Sequence, residues 1–165
     1  MKKMTQFLES LLAAFLGLLM AAMVVDVTWQ VVTRFILSEP SSYTEELARF
    51  LLIWIGLLGA AYAYRKKAHL GLDILSQKLE GTAKRRLDIF ISLVCILFAV
   101  LLMIYGGTKL MVLTLQLEQL SAALQVKIGY IYSVIPLSGI LIVIFSIDRL
   151  INGDPEPDGD VGTFE

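Results

Sequence analysis

Four long apolar stretches dominate the chain, and they lack the polar residue at every turn that the solvent-facing side of a soluble helix shows. They cover approximately residues 7–35, 47–64, 87–108 and 130–147. A helix needs about 20 mostly apolar residues to cross the hydrocarbon core of a bilayer, which is roughly 30 Å thick. The pattern therefore predicts an all-α integral membrane protein whose four transmembrane helices form a single domain over residues 1–151.

The segments between the apolar stretches predict two further helices that lie along the membrane surface. Leu72, Leu75 and Leu79 recur at helical spacing between basic clusters, which predicts an amphipathic interfacial helix over about residues 70–82. A second amphipathic pattern predicts an interfacial helix over about residues 110–126. The last segment, 152–165, is acidic and contains Gly and Pro, so we expect a disordered tail.

Composition supports a membrane class and excludes an ordinary soluble domain. Of the 165 residues, 57% are hydrophobic and only 18% are charged, and the mean hydropathy is +0.75. The basic start and the apolar run after it resemble a secretory signal, but no small-x-small cleavage site follows. We interpret this stretch as an uncleaved signal-anchor that forms the first span. The single cysteine, Cys95, excludes an internal disulfide.

The distribution of Lys and Arg predicts the orientation of the chain, because cytoplasmic loops carry an excess of these residues. With both ends inside, ten of the 14 basic residues are cytoplasmic, and seven of those ten lie in the loop between the second and third spans. The net charge of -1 conceals this asymmetry, since six acidic residues crowd the last eighteen positions. We predict that the N- and C-termini are both cytoplasmic.

Three polar residues share one face of the first span. Asp26, Gln30 and Arg34 are spaced four residues apart in its outer half. Such groups at membrane depth are costly unless they are paired, and they usually face protein or water. One interpretation is an ion or substrate pathway. The interpretation we favour is a structural ladder, in which Arg34 extends toward the outer surface and Asp26 pairs with a neighbouring helix.

The second span begins with a charged cluster. Glu45 and Glu46 precede Arg49 by four and three residues, so both carboxylates lie within reach of its guanidinium group. Arg49 lies one turn inside the span, at a depth comparable with Asp26. This placement suggests a cross-helix pair between Asp26 and Arg49, which we treat as a hypothesis.

Other residues in the spans point to helix packing. Trp54 lies in the middle of the second span, where it either packs in the core or contacts a partner helix. Pro136 is expected to bend the fourth span. Small residues recur at the spacing that allows helices in lipid to approach closely, and they are Ala13, Gly17 and Ala21 in the first span and Gly56, Ala60 and Ala63 in the second.

Residues for catalysis or cofactor binding are scarce. His69 is the only histidine, which excludes two-histidine haem ligation and a histidine-based metal cluster. The chain has no glycine-rich phosphate loop, serine elbow or Cys-x-x-Cys motif. We therefore expect no enzymatic activity, no cofactor or metal, and no binding to nucleic acid.

An ordered set of residues around the second span forms a recognisable signature. Its members are Trp29, Arg34, Phe35, Tyr43, Thr44, Glu45, Glu46, Leu47, Ala48, Arg49, Trp54, Gly59, Ala60, Ala61, Arg65, His69, Leu70, Gly71, Leu72 and Asp73. This set resembles the signature of the DctQ-like small membrane subunits of tripartite ATP-independent periplasmic (TRAP) transporters. Detailed similarity covers residues 29–75, while length and topology match over nearly the whole chain.

The resemblance implies a role that the chemistry alone does not indicate. Small subunits of this family pair with a large multi-span subunit that carries substrate and sodium, and a periplasmic binding protein delivers an organic acid such as a dicarboxylate or sialic acid. The small subunit is then a scaffold, and its basic cytoplasmic rim suits phospholipid headgroups. The resemblance makes the following positions structural or subunit-interface residues: Glu45, Glu46, Arg49, Trp54, Arg65, His69 and Asp73.

Two other functions remain open from the sequence. A small homodimeric proton-coupled exporter needs a membrane-embedded carboxylate that titrates, and Asp26 is the only candidate near mid-depth. An anchoring subunit of a different membrane complex would share the same topology. Co-purification with a much larger membrane subunit would exclude the exporter. It would be expected both for a TRAP small subunit and for an anchoring subunit, which the identity of the partner then distinguishes.

Overall fold

The computed structural model describes residues 2–36, 41–66 and 81–152. Four of its helices are long and apolar enough to span a membrane, and they cover Lys3–Ile36, Ser42–Arg65, Arg85–Gln116 and Ile128–Asn152. Each predicted apolar stretch lies inside one of these helices. The prediction of an all-α protein with four candidate spans is confirmed.

The helices are named here in chain order. The first two spans are α1 (Lys2–Ile36) and α2 (Ser42–Arg65). The third consists of α3 (Gly81–Phe98), a π-helical segment (Ala99–Gly106) and α4 (Gly107–Gln116). The fourth consists of α5 (Ile128–Tyr132) and α6 (Val134–Asn152).

The core lies where α2 packs between α1 and α6. Its buried members come from these three helices, and they are Leu12, Leu16, Leu58, Tyr64, Val134 and Phe145. The third span packs on α6 through its π-helical segment, where Ala99 and Met103 are buried. Gly139 of α6 permits this contact, because a Cβ atom there would lie only 2.8 Å from the Cβ of Met103.

The fourth span is interrupted at Ser133, three residues before Pro136. Proline has no backbone N–H, so the carbonyl of Tyr132 lacks its usual donor four residues later. The break separates α5 from α6, in line with the bend that Pro136 predicts. It also lies beside Trp54, whose indole Nε1 donates a hydrogen bond to the carbonyl oxygen of Ile131 at 3.2 Å.

The prediction of a separate interfacial helix over residues 110–126 is wrong. Residues up to Gln116 continue the third span, and the chain then forms turns that an isolated antiparallel bridge between Leu120 and Lys127 closes. The helix ends because Glu118 adopts a left-handed conformation (φ 49°). Its N–H bonds to the carbonyl of Leu115 at 3.1 Å, and the N–H of Gln119 bonds to that of Thr114 at 3.2 Å.

This hydrogen-bond pattern is a Schellman motif, which normally places glycine at the left-handed position. Glutamate occupies that position here, so the sequence carries no conventional stop signal. The other predicted interfacial helix lies mostly outside the described residues, which resume at Gly81 with the start of α3. His69, Asp73 and residues 153–165 of the predicted tail also lie outside them.

Candidate functional site: polar links between the spans

A cluster of charged and polar side chains joins α1, α2 and α6 at one end of the bundle. We call it the Arg65 cluster, and its members are Thr5, Glu9, Arg65, Lys66, Asp148 and Asn152. The Nε of Arg65 lies 3.0 Å from Glu9 Oε2, and its Nη1 lies 2.9 Å from Asp148 Oδ2. One guanidinium group therefore binds carboxylates from the first and the last span at once.

The remaining members of the Arg65 cluster complete the bonding of the two carboxylates. Asp148 accepts hydrogen bonds from Thr5 Oγ1 at 3.1 Å and from Asn152 Nδ2 at 2.6 Å. Glu9 also pairs with the ammonium group of Lys66 at 2.7 Å. Buried charges of this kind are tolerated only when they are paired and hydrogen-bonded.

Burial distinguishes the Arg65 cluster from an ordinary surface ion pair. The side chains of Arg65 and Asp148 are 7% and 3% exposed. The guanidinium carbon of Arg65 also lies 5.7 Å from the centre of the Phe145 ring, a cation–π distance. The cluster therefore fixes the relative positions of three helix ends.

Two further contacts stabilise the same end of the bundle. Arg149 of α6 pairs with Asp88 of α3 at 3.1 Å, which connects the third and fourth spans. Ser146 donates a hydrogen bond to the hydroxyl oxygen of Tyr64 at 2.9 Å, and both residues are buried. Every one of the four spans is thus tied to α6 or to a partner of α6.

At the opposite end, Glu46 of α2 holds the loop that follows α4. Its carboxylate accepts hydrogen bonds from three consecutive backbone N–H groups, those of Ala122, Ala123 and Leu124, at 3.0, 2.9 and 2.7 Å. Consecutive N–H groups that converge in this way form an anion-binding nest. The loop is thereby fastened to the first turns of α2, and Glu46 does not bind Arg49.

The Glu46 link predicts a local effect of removing the charge. In the variant Glu46→Gln, the amide keeps one acceptor oxygen and loses the charge that strengthens these bonds. We expect amide hydrogen exchange over residues 121–126 to accelerate at least about tenfold. These N–H groups exchange when the loop opens locally, which does not require the rest of the protein to unfold. Hydrogen-exchange mass spectrometry of the purified protein measures it. Glu45→Gln is the matched control and should leave the loop unchanged; equal acceleration in both variants would contradict the assignment.

The polar residues of the first span form a different arrangement from the one we hypothesised. Gln30 Nε2 donates to Asp26 Oδ2 at 3.0 Å and to the backbone carbonyl of Thr44 at 2.9 Å. Arg49 pairs with Glu45 of its own helix at 3.2 Å. Asp26 and Arg49 therefore have separate partners, and the cross-helix pair between them is not formed. Arg34 is exposed and lines an open cleft with Glu45.

Trp54 lies against the core, in line with one of the two interpretations given for it. Its ring is 6.3 Å from that of Phe15 in an edge-to-face arrangement. Together with the bond to Ile131, this contact connects α1, α2 and α5 near the middle of the bundle. The tryptophan is partly buried inside this chain.

Sequence reasoning missed the acidic partners of Arg65. Glu9 stands alone near the start of the first apolar stretch, and Asp148 follows the fourth by one residue. Both lie on the same side of the predicted membrane as Arg65, which is the signal that would have found them. Sequence spacing within one helix does not reveal partners that are 56 and 83 positions away from Arg65.

Comparison with known proteins shows the family of this chain. Residues 23–155 match the family described as the DctQ component of tripartite ATP-independent periplasmic transporters. The sialic acid TRAP transporter small permease protein SiaQ of Vibrio cholerae is 31% identical over 81% of this chain and 76% of its own length. A putative TRAP transporter small permease protein of Haemophilus influenzae is 30% identical over 92% of each chain.

A longer relative also matches. The isethionate TRAP transporter permease protein DctMQ of Oleidesulfovibrio alaskensis is 30% identical over 72% of this chain, which corresponds to only 20% of that protein. Four apolar helices and this family agree with a multi-pass protein of the bacterial inner membrane. The chain belongs to the DctQ component family, the small permease subunits of tripartite ATP-independent periplasmic transporters.

Proposed function

We propose that this chain is the scaffold subunit of a sodium-driven, binding-protein-dependent transporter for an organic acid. A large multi-span subunit would carry the substrate and sodium, and a periplasmic binding protein would deliver the substrate. The relatives named for sialic acid and isethionate support an acidic solute. Sialic acid and C4-dicarboxylates are the substrate classes to examine first.

The observation that carries the scaffold role is the Arg65 cluster. A carrier needs polar groups that exchange partners as the solute moves, whereas Arg65 holds Glu9 and Asp148 in one buried network. The polar groups in the outer half behave similarly, since Gln30 links Asp26 to the backbone of Thr44. These contacts favour a rigid wall against which another subunit moves.

Phospholipids are part of the proposal. Arg85 and Arg86 are exposed near the predicted cytoplasmic surface. Anionic headgroups attract basic residues at this level, with about 1 kcal/mol for each Lys or Arg close to the surface. Lipids bound at this rim would fill the space between the small and the large subunit.

Reconstitution into vesicles tests the proposal. Sodium-free vesicles placed in sodium buffer have an inward sodium gradient, and sodium-loaded vesicles in the same buffer are the control without one. Vesicles that contain the large subunit, this chain and the cognate binding protein should take up radiolabelled organic acid only when an inward sodium gradient is present. Omission of this chain should abolish uptake. Undiminished sodium-dependent uptake without this chain would refute the scaffold role.

Vesicles that contain only this chain test the alternative of a self-sufficient exporter. Asp26, the carboxylate that the exporter would use, is buried in the first span. In the exporter, Asp26→Asn should abolish transport by this chain alone. In the scaffold, the variant should only weaken assembly, because its amide oxygen still accepts the hydrogen bond from Gln30.

A further inference from the structure

One side of α2 is not covered by the other residues that the structure describes. Glu45, Arg49, Leu52 and Gly56 follow one another at spacings of four, three and four residues, so they form a single stripe along the helix. All four are exposed. The buried residues of α2, which include Leu58 and Ala61, lie on the opposite side and face the core. We call the exposed stripe the α2 outer face.

The α2 outer face has a recess, here called the glycine notch, at Gly56, where no side chain projects from the helix. A Cβ atom added to Gly56, or to Gly59 one turn further on, would meet no atom within 4 Å. Packing among the described residues therefore does not require glycine at either position. In lipid, helices associate through close packing at small residues rather than through a hydrophobic driving force. A helix from outside the chain is the partner for which these glycines leave room.

Charged groups continue the α2 outer face above the notch. Arg49 and Glu45 form an ion pair of 3.2 Å whose side chains are 67% and 68% exposed. Arg49 lies seven residues after Ser42, which is about 10 Å along the helix axis. Ionisable side chains inside a span normally face protein or water rather than lipid tails.

An open cleft between α1 and α2 extends this charged region. It has a volume of about 410 Å³, and its lining includes Val27, Val31 and Arg34 of α1 together with Glu45 of α2. The guanidinium groups of Arg34 and Arg49 are both exposed in this region. A carbonyl oxygen or an acidic side chain on the occupant would be complementary to these donors.

The third span presents a different surface. Leu93, Leu97, Phe98, Leu101 and Leu102 are all exposed there, and they are bulky and uncharged. Such a surface suits lipid tails, which need neither close backbone approach nor a polar partner. The contrast favours lipid contact for the third span and protein contact for the α2 outer face.

We propose that a transmembrane helix of the large permease subunit packs across the α2 outer face. A small residue of that helix would lie against Gly56, and an acidic or carbonyl oxygen would lie near Arg34 and Arg49. This inference rests on the proposed scaffold function. The match to one fifth of the longer permease DctMQ supports a partner that is itself a permease polypeptide rather than a second copy of this chain.

Photo-crosslinking in membranes tests the contact. Leu52 lies on the α2 outer face and Leu97 on the third span, and the two leucines are similarly exposed at 57% and 60%. Each is replaced separately by p-benzoylphenylalanine in the chain co-expressed with its large subunit. Irradiation should give an adduct with the large subunit from position 52 at a yield at least about tenfold above that from position 97.

A second measurement uses the glycine notch. Gly56→Leu should leave this chain folded, because its added atoms start in open space. It should reduce co-purification of the large subunit at least about tenfold. Ala22→Leu is the matched control, since Ala22 is exposed on α1. It lies five residues before the cleft residue Val27, which is about 140° around the helix and hence away from the cleft. This control should co-purify as the unsubstituted chain does.

The possible results separate the two proposals. If the subunits co-purify and position 52 gives adducts only with lipid or with a second copy of this chain, the assignment of the face is overturned and the scaffold role stands. A position-97 adduct with the large subunit would likewise place the interface on the third span. If the large subunit neither co-purifies nor crosslinks at either position, the scaffold function itself fails, and the docking proposal fails with it.

Discussion

Replacing Arg65 by methionine is expected to lower the free energy of unfolding of the isolated subunit by about 3–5 kcal/mol, the cost of breaking a buried ion pair from one side. The variant leaves the carboxylate of Asp148 buried without its cation, while Glu9 keeps only Lys66. Methionine retains much of the packing volume, so the loss reports the charge. Equilibrium unfolding of the protein in mixed micelles, followed by tryptophan fluorescence, measures it.

Two control variants define what the Arg65 measurement means. Arg49→Met removes the exposed pair with Glu45, and it should cost less than about 1 kcal/mol. The double variant Arg65→Met with Asp148→Asn removes both charges, and we expect it to recover at least about 2 kcal/mol of the loss. Equal losses from Arg65→Met and Arg49→Met would show that the Arg65 cluster does not hold the three helix ends together.

Replacing Gly139 by leucine is expected to cost about 3 kcal/mol of stability, at the upper end of the usual range for overpacking. A Cβ atom there would lie 2.8 Å from Met103 Cβ, 3.0 Å from Ile104 Cγ1 and 3.3 Å from the carbonyl oxygen of Ala99. The backbone contact cannot be relieved by a side-chain rotation. The third and fourth spans must therefore separate, and loss of thermal stability in detergent is the measurement.

The matched control is Gly17→Leu in α1. A Cβ atom at Gly17 meets nothing within 4 Å, and leucine favours a helix more than glycine does by several tenths of a kcal/mol. This variant should be at least as stable as the unsubstituted protein. A similar loss at both glycines would mean that the close approach of α6 to the π-helical segment does not limit the packing.

The resemblance and the fold class were predictable from local sequence. Four apolar stretches of sufficient length allow little else than four spans, and the ordered residues from Trp29 to Asp73 identified the family that the comparison confirms. The error over residues 110–126 has a local cause. Periodicity continued past Gln116, while the helix stopped at a left-handed glutamate that sequence rules do not anticipate.

The polar contacts were predictable only in part. The i, i+4 links, such as those from Gln30 to Asp26 and from Arg49 to Glu45, follow from helical spacing. The spacing also suggested that Arg49 binds Glu46, but that carboxylate turns to a loop 76–78 residues away. The π-helical segment has no sequence signal, because its residues from Ala99 to Ile104 are all apolar.

The sequence by itself determined that this protein is a four-span membrane protein, because the length and polarity of each segment decide whether it is stable in lipid. Only the tertiary structure decided which groups of different helices meet. Arg65 gains Glu9 and Asp148 when α1 and α6 pack on either side of α2, and this packing depends on shape over the whole bundle. Among the described residues this packing also leaves Gly56 and Arg49 exposed, because α2 turns the side that carries Leu58 toward the core.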